Sequence, residues 1–449
     1  MNNHVSTKEN FNRLTEFRQA LYQYGFLRRR DALCELLDAL LVQGPVPSLA
    51  WLSCSVEFQR KWHSLYAALE DGRLDEAWLR QYLAQQLPQD GMAVLALDVS
   101  AWPRPRAQTL QDRQYVYHPT AAVNGGSVCV GYAYSLLDWV PEPRSSWALS
   151  LDVRRIPSTQ TAQEVGVQQV KAFCAARQQG VNALDIVAAD VRYGNVGFLQ
   201  PLQGERCAVL TRLRRDRLLY REVQPDRERG RGRPRKHGPR LAFKQPASWG
   251  TPDEAQELED AQWGKVRLER WNKLHDRRAA EVPFDVLRVS VHLEKAKPPQ
   301  PIWLAWQLPS ILPEGITVTA EAIWRAYQKR WPIEPSIRFR KQSLCWTLPQ
   351  FQMAEAGDRW SVLVSLAMWI LYLARAVVED NPLPWQKPQT QLTPERVRQG
   401  IQRIICKIGN PARPPKMRGK PPGWPKGKHR QPKPRFPVVK KTQIAAKTA

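Results

Sequence analysis

The chain has 449 residues, 43% of them apolar, which is enough for a large buried core spread over two or three domains. Its 67 lysine and arginine residues outnumber 42 aspartate and glutamate residues, and the formal net charge of +25 favours nucleic acid as a partner over a merely cationic surface. Seven scattered cysteines without a CxxC pair argue against a structural zinc site and favour a reducing cytoplasm.

The N-terminal region, residues 1–88, is predicted to be helical because its apolar residues recur three and four positions apart. It could form a small DNA-binding bundle or a cap that packs on the rest of the chain, and the sequence leaves both open. The opening residues, MNNHVSTKEN, lack the basic and apolar blocks of a secretory signal.

A mixed α/β core is predicted from residue 91, where short apolar runs replace the helical period. MAVLALDVS, SVCVGYAYSLLDWV and SWALSLDVRRI are predicted strands. They precede a helix, TAQEVGVQQVKAFCAARQQG, that we expect to start near Ser158 or Thr159 and to stop at Gly180. A further strand, ALDIVAADVRYGN, follows. This order of strands and helix is typical of an α/β domain with a mixed sheet.

The pattern changes after Asp190. Residues 205–240 contain 13 lysine or arginine residues against 5 acids, so we expect an exposed basic loop. FDVLRVSVHL and PIWLAWQLP then alternate as strands do. A helical pattern returns at TAEAIWRAYQKRW. The 15-residue run WSVLVSLAMWILYLA is shorter than the ~20 residues of a membrane span and predicts a core helix.

Four regions follow from these patterns. They are a helical N-terminal region (1–88), an α/β core (89–200 and 317–380), a β-rich insertion (201–316) and a basic, proline-rich tail (381–449). From Lys407 onwards the tail contains 13 lysine or arginine residues, 9 prolines and no acid, and we predict that it is disordered.

Two aspartates end predicted strands: Asp98 closes VLALD and Asp190 closes DIVAAD. Strand exits are where α/β sheets commonly place ligands, although a turn-forming or helix-capping aspartate is the common alternative. Both carboxylates are therefore candidates for one site.

The stretch YQKRWPIEPSIRFRK, residues 327–341, predicts two helices, because Pro332 suits the first turn of a helix but not its interior. Tyr327 and Arg330 would share a face of the first helix. Glu334 would lie in the first turn of the second, with Arg338 and Lys341 on its face. A salt bridge from Glu334 to Arg338 is the alternative to a ligand role.

Three carboxylates beside basic side chains suit phosphodiester chemistry. Mg²⁺ prefers oxygen ligands, and two such ions about 4 Å apart can activate an attacking oxygen and stabilise the leaving one. The sequence thus predicts that Asp98, Asp190 and Glu334 hold divalent cations, while nearby lysine and arginine residues bind a nucleic-acid backbone.

Tyr327, Arg330, Glu334 and Lys341 stand at the spacing Y-x2-R-x3-E-x6-K. In this the chain resembles the YREK group of DDE transposases, the fourth insertion-sequence family and its close relatives in the RNase H-like superfamily. AADVRYGN is similar to that group's second-aspartate block, D-x-G-Y-G, with Arg192 replacing the usual small residue. ALDVSAWPRP is similar to the first-aspartate block. The resemblance spans residues 91–375.

This resemblance implies an RNase H-like fold in which Asp98, Asp190 and Glu334 are catalytic and bind two Mg²⁺ ions, with Mn²⁺ as a substitute. It implies that Tyr327, Arg330 and Lys341 contact the backbone of a transposon end, and that two ends meet in a homodimer. The long separation of Asp190 and Glu334 implies an inserted β-domain.

A tryptophan on a strand of that insertion stacks on a flipped base in relatives. Trp303 is the matching candidate here, against the alternative of a core tryptophan, while Trp306 and Trp249 are weaker candidates.

GRGRPRK, residues 230–236, resembles an AT-hook, whose extended Arg-Gly-Arg-Pro core fits an A·T minor groove. Candidate DNA-binding residues are therefore Arg231, Arg233, Arg235 and Lys236, which could also form a general phosphate patch. A looser motif in the tail, GKPPGWPKGKHR, is expected to bind non-specifically. His118, after YVY, is expected to be structural.

The leading hypothesis is a bacterial, nucleoid-associated DNA transposase that acts by cut-and-paste: end nicking, hairpin formation and strand transfer on double-stranded DNA. An RNase H-like nuclease that does not transpose is one alternative. A transposase-derived DNA-binding protein without an active metal site is the other.

Overall fold

The structure, a computed structural model, describes residues 6–44, 48–118, 127–177, 182–223, 235–292, 299–416, 423, 425–429 and 431–440. The helices are α1 (Thr7–Ala20), α2 (Arg30–Val42), α3 (Leu49–Leu52), α4 (Trp62–Asp71), α5 (Glu76–Ala84), α6 (Ala162–Ala176), α7 (Val196–Leu199), α8 (Ala320–Gln328), α9 (Ile333–Gln342), α10 (Ala354–Ala374) and α11 (Pro394–Ile408). The strands are β1 (Phe26–Arg28), β2 (Arg73–Leu74), β3 (Asp90–Pro103), β4 (Gln114–Tyr117), β5 (Val128–Val140), β6 (Leu149–Ile156), β7 (Asn182–Ala189), β8 (Ala208–Leu213), β9 (Leu218–Tyr220), β10 (Arg240–Ala242), β11 (Glu254–Asp260), β12 (Gly264–Asp276), β13 (Ala279–His292) and β14 (Ile302–Gln307).

One twelve-stranded mixed sheet runs through the molecule in the order β10-β9-β12-β13-β14-β8-β7-β3-β5-β4, with β11 beside β12 and β6 beside β5. Strands β3, β7 and β8 are parallel, and their neighbours are antiparallel. The prediction of a mixed α/β fold is confirmed. The central order β6-β5-β3-β7-β8 is consistent with an RNase H-like core.

The strands between residues 208 and 307 extend the core sheet, because β14 pairs with the free edge of β8. An unpaired edge exposes a row of backbone donors and acceptors, and β14 satisfies it. The β-rich segment is thus continuous with the core sheet rather than a sheet of its own.

Helix α6 begins later than the sequence suggested. Thr161, not Ser158 or Thr159, is its N-cap, because the Thr161 hydroxyl accepts from the Glu164 amide at 3.2 Å while the Glu164 carboxylate accepts from the Thr161 amide at 2.6 Å. This reciprocal pair is a capping box. The predicted stop at Gly180 lies outside the described residues.

The N-terminal helices pack on α10, which lies at the centre of the α-helical part of the molecule. Helices α1, α2 and α4 contact α10, and Phe17 stacks on Trp369 with ring centroids 6.2 Å apart. This packing corresponds to the cap alternative for residues 1–88. Helix α10 is almost wholly buried, and the described residues include no helix long and apolar enough to cross a bilayer.

The basic, proline-rich tail begins with a folded segment, because residues 394–408 form a helix. Of these residues, only Lys407 and Ile408 fall in the part predicted to be disordered. Helix α11 buries Val397, Ile401 and Ile405, and it contacts α2 and α10. These apolar residues are spaced by four, which is a helical pattern, but they lie in a segment whose overall composition is basic. Further on, the Val439 amide donates to the Arg113 carbonyl at 2.7 Å, beside the edge strand β4.

Candidate active site

Asp98 and Asp190 lie at the same edge of two parallel neighbouring strands. In the register of β3 and β7, Leu97 lies opposite Ala189. The next residue along each of the two parallel segments is an aspartate, Asp98 in one and Asp190 in the other. Asp190 directly follows β7, as predicted. Asp98 instead lies inside β3, which continues to Pro103 because it remains paired with β5. Parallel pairing therefore brings together two carboxylates that are far apart in the sequence.

Local hydrogen bonds orient both carboxylates. Asp98 Oδ1 accepts from the Val99 amide at 2.8 Å, and Asp190 Oδ1 accepts from the Arg192 amide at 2.9 Å. Tyr193, next along the turn, is fully buried and packs edge-to-face on Phe198. One oxygen of each carboxylate thus accepts a hydrogen bond from the backbone of its own segment, and Asp98 also lines the neighbouring cleft.

Glu334 enters the site from α9. Residues Lys329–Pro332 separate helix α8 from helix α9, as the position of Pro332 predicted. Glu334 is exposed and lies in the first turn of α9. A carboxylate in a first turn is favoured by the helix dipole.

Arg330 lies between the carboxylate on β3 and the carboxylate on α9. Its Nη2 donates to Glu334 Oε1 at 3.3 Å, and its Nη1 lies 3.8 Å from Asp98 Oδ2. The predicted alternative partner of Glu334 was Arg338, and the structure shows Arg330 in that place. Nη1 is buried and has no hydrogen-bond partner among the described residues. The guanidinium therefore lies between two carboxylates without fully bonding either one.

The electrostatics of the site follow from this crowding. Burial raises the pKa of Asp98, the charge of Arg330 opposes that rise, and the carboxylates of Asp190 and Glu334 add to it. Like charges close together disfavour the ionised form, so this group of acids calls for cationic compensation. In the described structure Arg330 supplies it.

Tyr327 and Lys341 flank the carboxylates, as the spacing predicted. Burial raises the pKa of Tyr327, and the neighbouring Arg330 opposes that rise. Burial lowers the pKa of Lys341, and the carboxylate of Asp98 opposes that fall. Arg338, by contrast, is exposed on α9. Tyr327, Arg330 and Lys341 thus surround the site, while Arg338 extends the basic surface beside it.

Asp98, Glu334 and Lys341 line a cleft of about 480 Å³, within the size range of small-ligand sites. Strands β3 and β4 form one wall and α9 the other. The polar side chains of its lining are Asp98, Ser100, Gln114, Tyr115, Tyr117, His118, Arg192, Glu334 and Lys341.

The donor set suits a hard divalent cation, because carboxylate oxygens are the ligands that Mg²⁺ and Mn²⁺ prefer. As the side chains are placed, no group of three Asp, Glu, His or Cys residues in the described ranges is arranged to hold a metal ion. The position of Arg330 between Asp98 and Glu334 marks where the negative charge of the site is concentrated.

Trp303 does not fit the predicted stacking role. It is only 4% exposed, and its ring lies 3.9 Å from the Phe243 ring at an angle of 7°. Strand β14 is paired on both sides, and Phe243 and Trp249 cover this face. The core alternative therefore describes Trp303, and Trp306 is buried as well.

The AT-hook-like motif lies mostly outside the described residues. Arg231 and Arg233 fall there, while Arg235 and Lys236 are exposed at the base of the loop that joins β9 to β10. Their exposure leaves them accessible to DNA.

Sequence reasoning missed the residue that anchors α9. Arg340 is 1% exposed and donates to Asp138 Oδ2, to the Ala148 carbonyl and to Ser150 Oγ at 2.6, 2.6 and 2.8 Å. Within the basic stretch of residues 327–341, the sequence gives Arg340 the appearance of a surface arginine. Its position seven residues after Ile333, on the buried face of α9, was the available signal. This buried pair holds the helix that carries Glu334 against the core sheet.

The sequence as a whole was compared with known families. A sequence model described as DDE superfamily endonuclease matches residues 22–274, more than half of the chain. The chain belongs to the DDE superfamily endonucleases. This family implies a nuclease or transposase that acts on DNA with divalent metal ions. The matched range contains Asp98 and Asp190 and ends before Glu334. No curated protein matched the chain.

Proposed function

We propose that the protein is a DNA transposase of the YREK group that moves an insertion sequence by cut-and-paste. The observation that carries the proposal is Arg330. It contacts Asp98 on the core sheet and Glu334 on α9, so the first and last acids of the expected triad meet at one guanidinium. The parallel register of β3 and β7 supports Asp190 as the second acid.

In this proposal Asp98, Asp190 and Glu334 hold two Mg²⁺ ions, with Mn²⁺ as a substitute. When bound, the ions activate an attacking oxygen and stabilise the leaving one. The protein supplies one acid on a paired strand, one directly after the neighbouring strand, and a third on a helix anchored through Arg340. Arg330 and Lys341 bind the phosphate backbone, and Tyr327 packs beside them. Since two ends must meet, the active form is a homodimer on DNA.

The test uses the DNA that flanks the coding gene, searched for short inverted repeats. Fragments carrying these ends are incubated with the full-length protein and Mg²⁺. We expect nicks at the ends, hairpin products and joining to a target plasmid. Cleavage without joining would support the nuclease alternative, and binding without cleavage would support the transposase-derived DNA-binding protein.

Arg330→Gln should tighten metal binding while weakening DNA binding. The substitution removes the cation that compensates Asp98 and Glu334. A cation within about 4–6 Å shifts a carboxylate by one to three pKa units, so we expect Mn²⁺ affinity to rise at least about ten-fold. Calorimetric titration of Mn²⁺ into the DNA-free protein measures it.

Lys329→Gln is the matched control for Arg330→Gln, because it removes one charge from the same break between α8 and α9. Its Mn²⁺ affinity should stay near that of the wild type. Equal or weaker Mn²⁺ binding by Arg330→Gln would show that the guanidinium does not compete with metal.

Removing the tail should weaken non-specific DNA binding. We choose truncation after Lys416, because it keeps the folded helix α11 and the hydrogen bond that the Asn410 amide donates to Asp38 Oδ2 at 2.6 Å. Residues 417–449 contain ten lysine or arginine residues and no acid. Each phosphate contact contributes about 0.9 to the slope of log affinity against log salt, so the slope should become shallower by several units. An unchanged slope, at unchanged melting temperature, would contradict this.

A further inference from the structure

Two tyrosines on β4 face the cleft. Tyr115 and Tyr117 are 51% and 62% exposed, and both line the cleft that contains Asp98, Glu334 and Lys341. They are two residues apart, so their side chains leave the same face of the strand. Two adjacent aromatic rings in solvent beside a charged site offer an apolar surface for a ligand.

The strand beneath them is held firmly. Val116 and Gln114, which alternate with the tyrosines, are buried. Gln114 Nε2 donates to the Ile156 carbonyl at 2.6 Å, and β4 pairs with β5 along its whole length. The tyrosine rings are thus mounted on a rigid backbone, which keeps the ordering cost of binding low.

The opposite wall of the cleft supplies positive charge. Lys341 on α9 and Arg192 after β7 both line it. Burial lowers the pKa of His118, the residue after Tyr117, and the nearby charge of Lys341 lowers it further, in keeping with an ammonium group close to the end of β4. An aromatic wall facing cations is the arrangement that accepts a nucleotide, with its base on the rings and its phosphate on the cations.

The base concerned must be unpaired. In a duplex each base is covered above and below by its neighbours, so a tyrosine ring can stack only on a base that has left the helix or lies on a single strand. The buried Trp303 cannot provide such a surface in this structure.

We propose that Tyr115 and Tyr117 form a stacking platform for an unpaired nucleotide next to the phosphate that reaches Asp98 and Glu334. This assignment rests on the proposed function and adds the form of DNA that the site takes: a strand end with at least one unpaired base. The phenolic hydroxyls are not required, because the ring faces do the binding.

The experiment measures binding of the full-length protein to a short duplex with a single-stranded overhang that carries 2-aminopurine. EDTA prevents cleavage, so the readout does not depend on catalysis. A blunt duplex of the same sequence is the reference. The wild type should quench 2-aminopurine fluorescence, because stacking on an aromatic ring quenches it, and should prefer the overhang.

The double substitution Tyr115→Ala and Tyr117→Ala should lower affinity for the overhang roughly 5- to 100-fold and abolish the quench, as expected for loss of base stacking. Blunt-duplex affinity should not change. The double phenylalanine variant should behave as the wild type. Tyr24→Ala is the matched control, since Tyr24 is 56% exposed and lies outside the cleft lining.

Equal loss on overhang and blunt DNA, or no loss on either, would overturn the platform. Metal-dependent cleavage, measured in parallel for the wild type and Asp98→Asn, tests the proposed function separately. Cleavage that needs Asp98 together with unaltered overhang binding by the alanine variant would remove the platform and leave the transposase proposal intact.

Discussion

Asp98→Asn should reduce metal-dependent DNA cleavage by at least about 10³-fold, the scale on which a charge-stabilising group in an active site contributes. Asparagine keeps the size of the side chain and removes the negative charge that, in the proposed function, attracts a divalent cation. DNA binding should persist or tighten slightly, because the substitution removes a negative charge from a surface that attracts phosphate. Cleavage on a gel and binding by fluorescence anisotropy measure the two effects.

Asp90→Asn is the matched control for Asp98→Asn. Asp90 begins the same strand, is exposed and lies away from the cleft lining. The Asp90→Asn variant should cleave DNA as the wild type does. Equal activity of the Asp90 and Asp98 variants would remove Asp98 from the catalytic group, and equal loss of binding and cleavage in Asp98→Asn would indicate a folding defect instead.

Arg340→Met should destabilise the protein by about 3–5 kcal/mol, the cost of leaving a buried charge without its partner. Asp138, with a side chain 0% exposed, would lose its counter-ion, and the Ala148 carbonyl would lose a donor. Because α9 carries Glu334, cleavage should fall together with stability. Urea denaturation followed by fluorescence measures the free energy of unfolding.

Arg338→Met provides the comparison on the same helix. Arg338 is exposed, so its loss should change stability by no more than about 0.5 kcal/mol. Adding Asp138→Leu to Arg340→Met should recover much of the loss, because replacing both members of a buried pair by apolar groups is often close to neutral. If Arg340→Met and Arg338→Met unfold at the same urea concentration, the buried pair does not anchor α9.

Several features of the site could be predicted from local sequence. An apolar run that ends in aspartate predicts a buried strand with a carboxylate at its exit. Asp190 follows that rule, whereas Asp98 lies inside β3, which continues to Pro103. Pro332 cannot continue a helix, so the break between α8 and α9 and the first-turn position of Glu334 were also predictable. Helix α10 follows from the length of one apolar run. These inferences depend on neighbours within a few residues.

The role of each basic residue in residues 327–341 was decided only by the tertiary structure. Arg330, Arg338 and Arg340 look alike in the sequence. In the structure, Arg330 lies between two carboxylates, Arg338 is exposed, and Arg340 is buried against Asp138. Burial changes the energy of a charge far more than its neighbours in sequence do, and burial depends on which element covers the helix face.

The same reason explains two features that the sequence pattern did not reveal. Trp303 is covered because Phe243, sixty residues earlier, packs on its ring, and α11 is folded because α2 and α10 cover its isoleucines. By itself the sequence indicated the strands and helices that carry Asp98, Asp190 and Glu334, and it named candidate residues for a metal ion and for DNA. Which of those side chains are in fact accessible was settled by contacts between distant segments, because exposure is a property of the packed chain rather than of a local pattern.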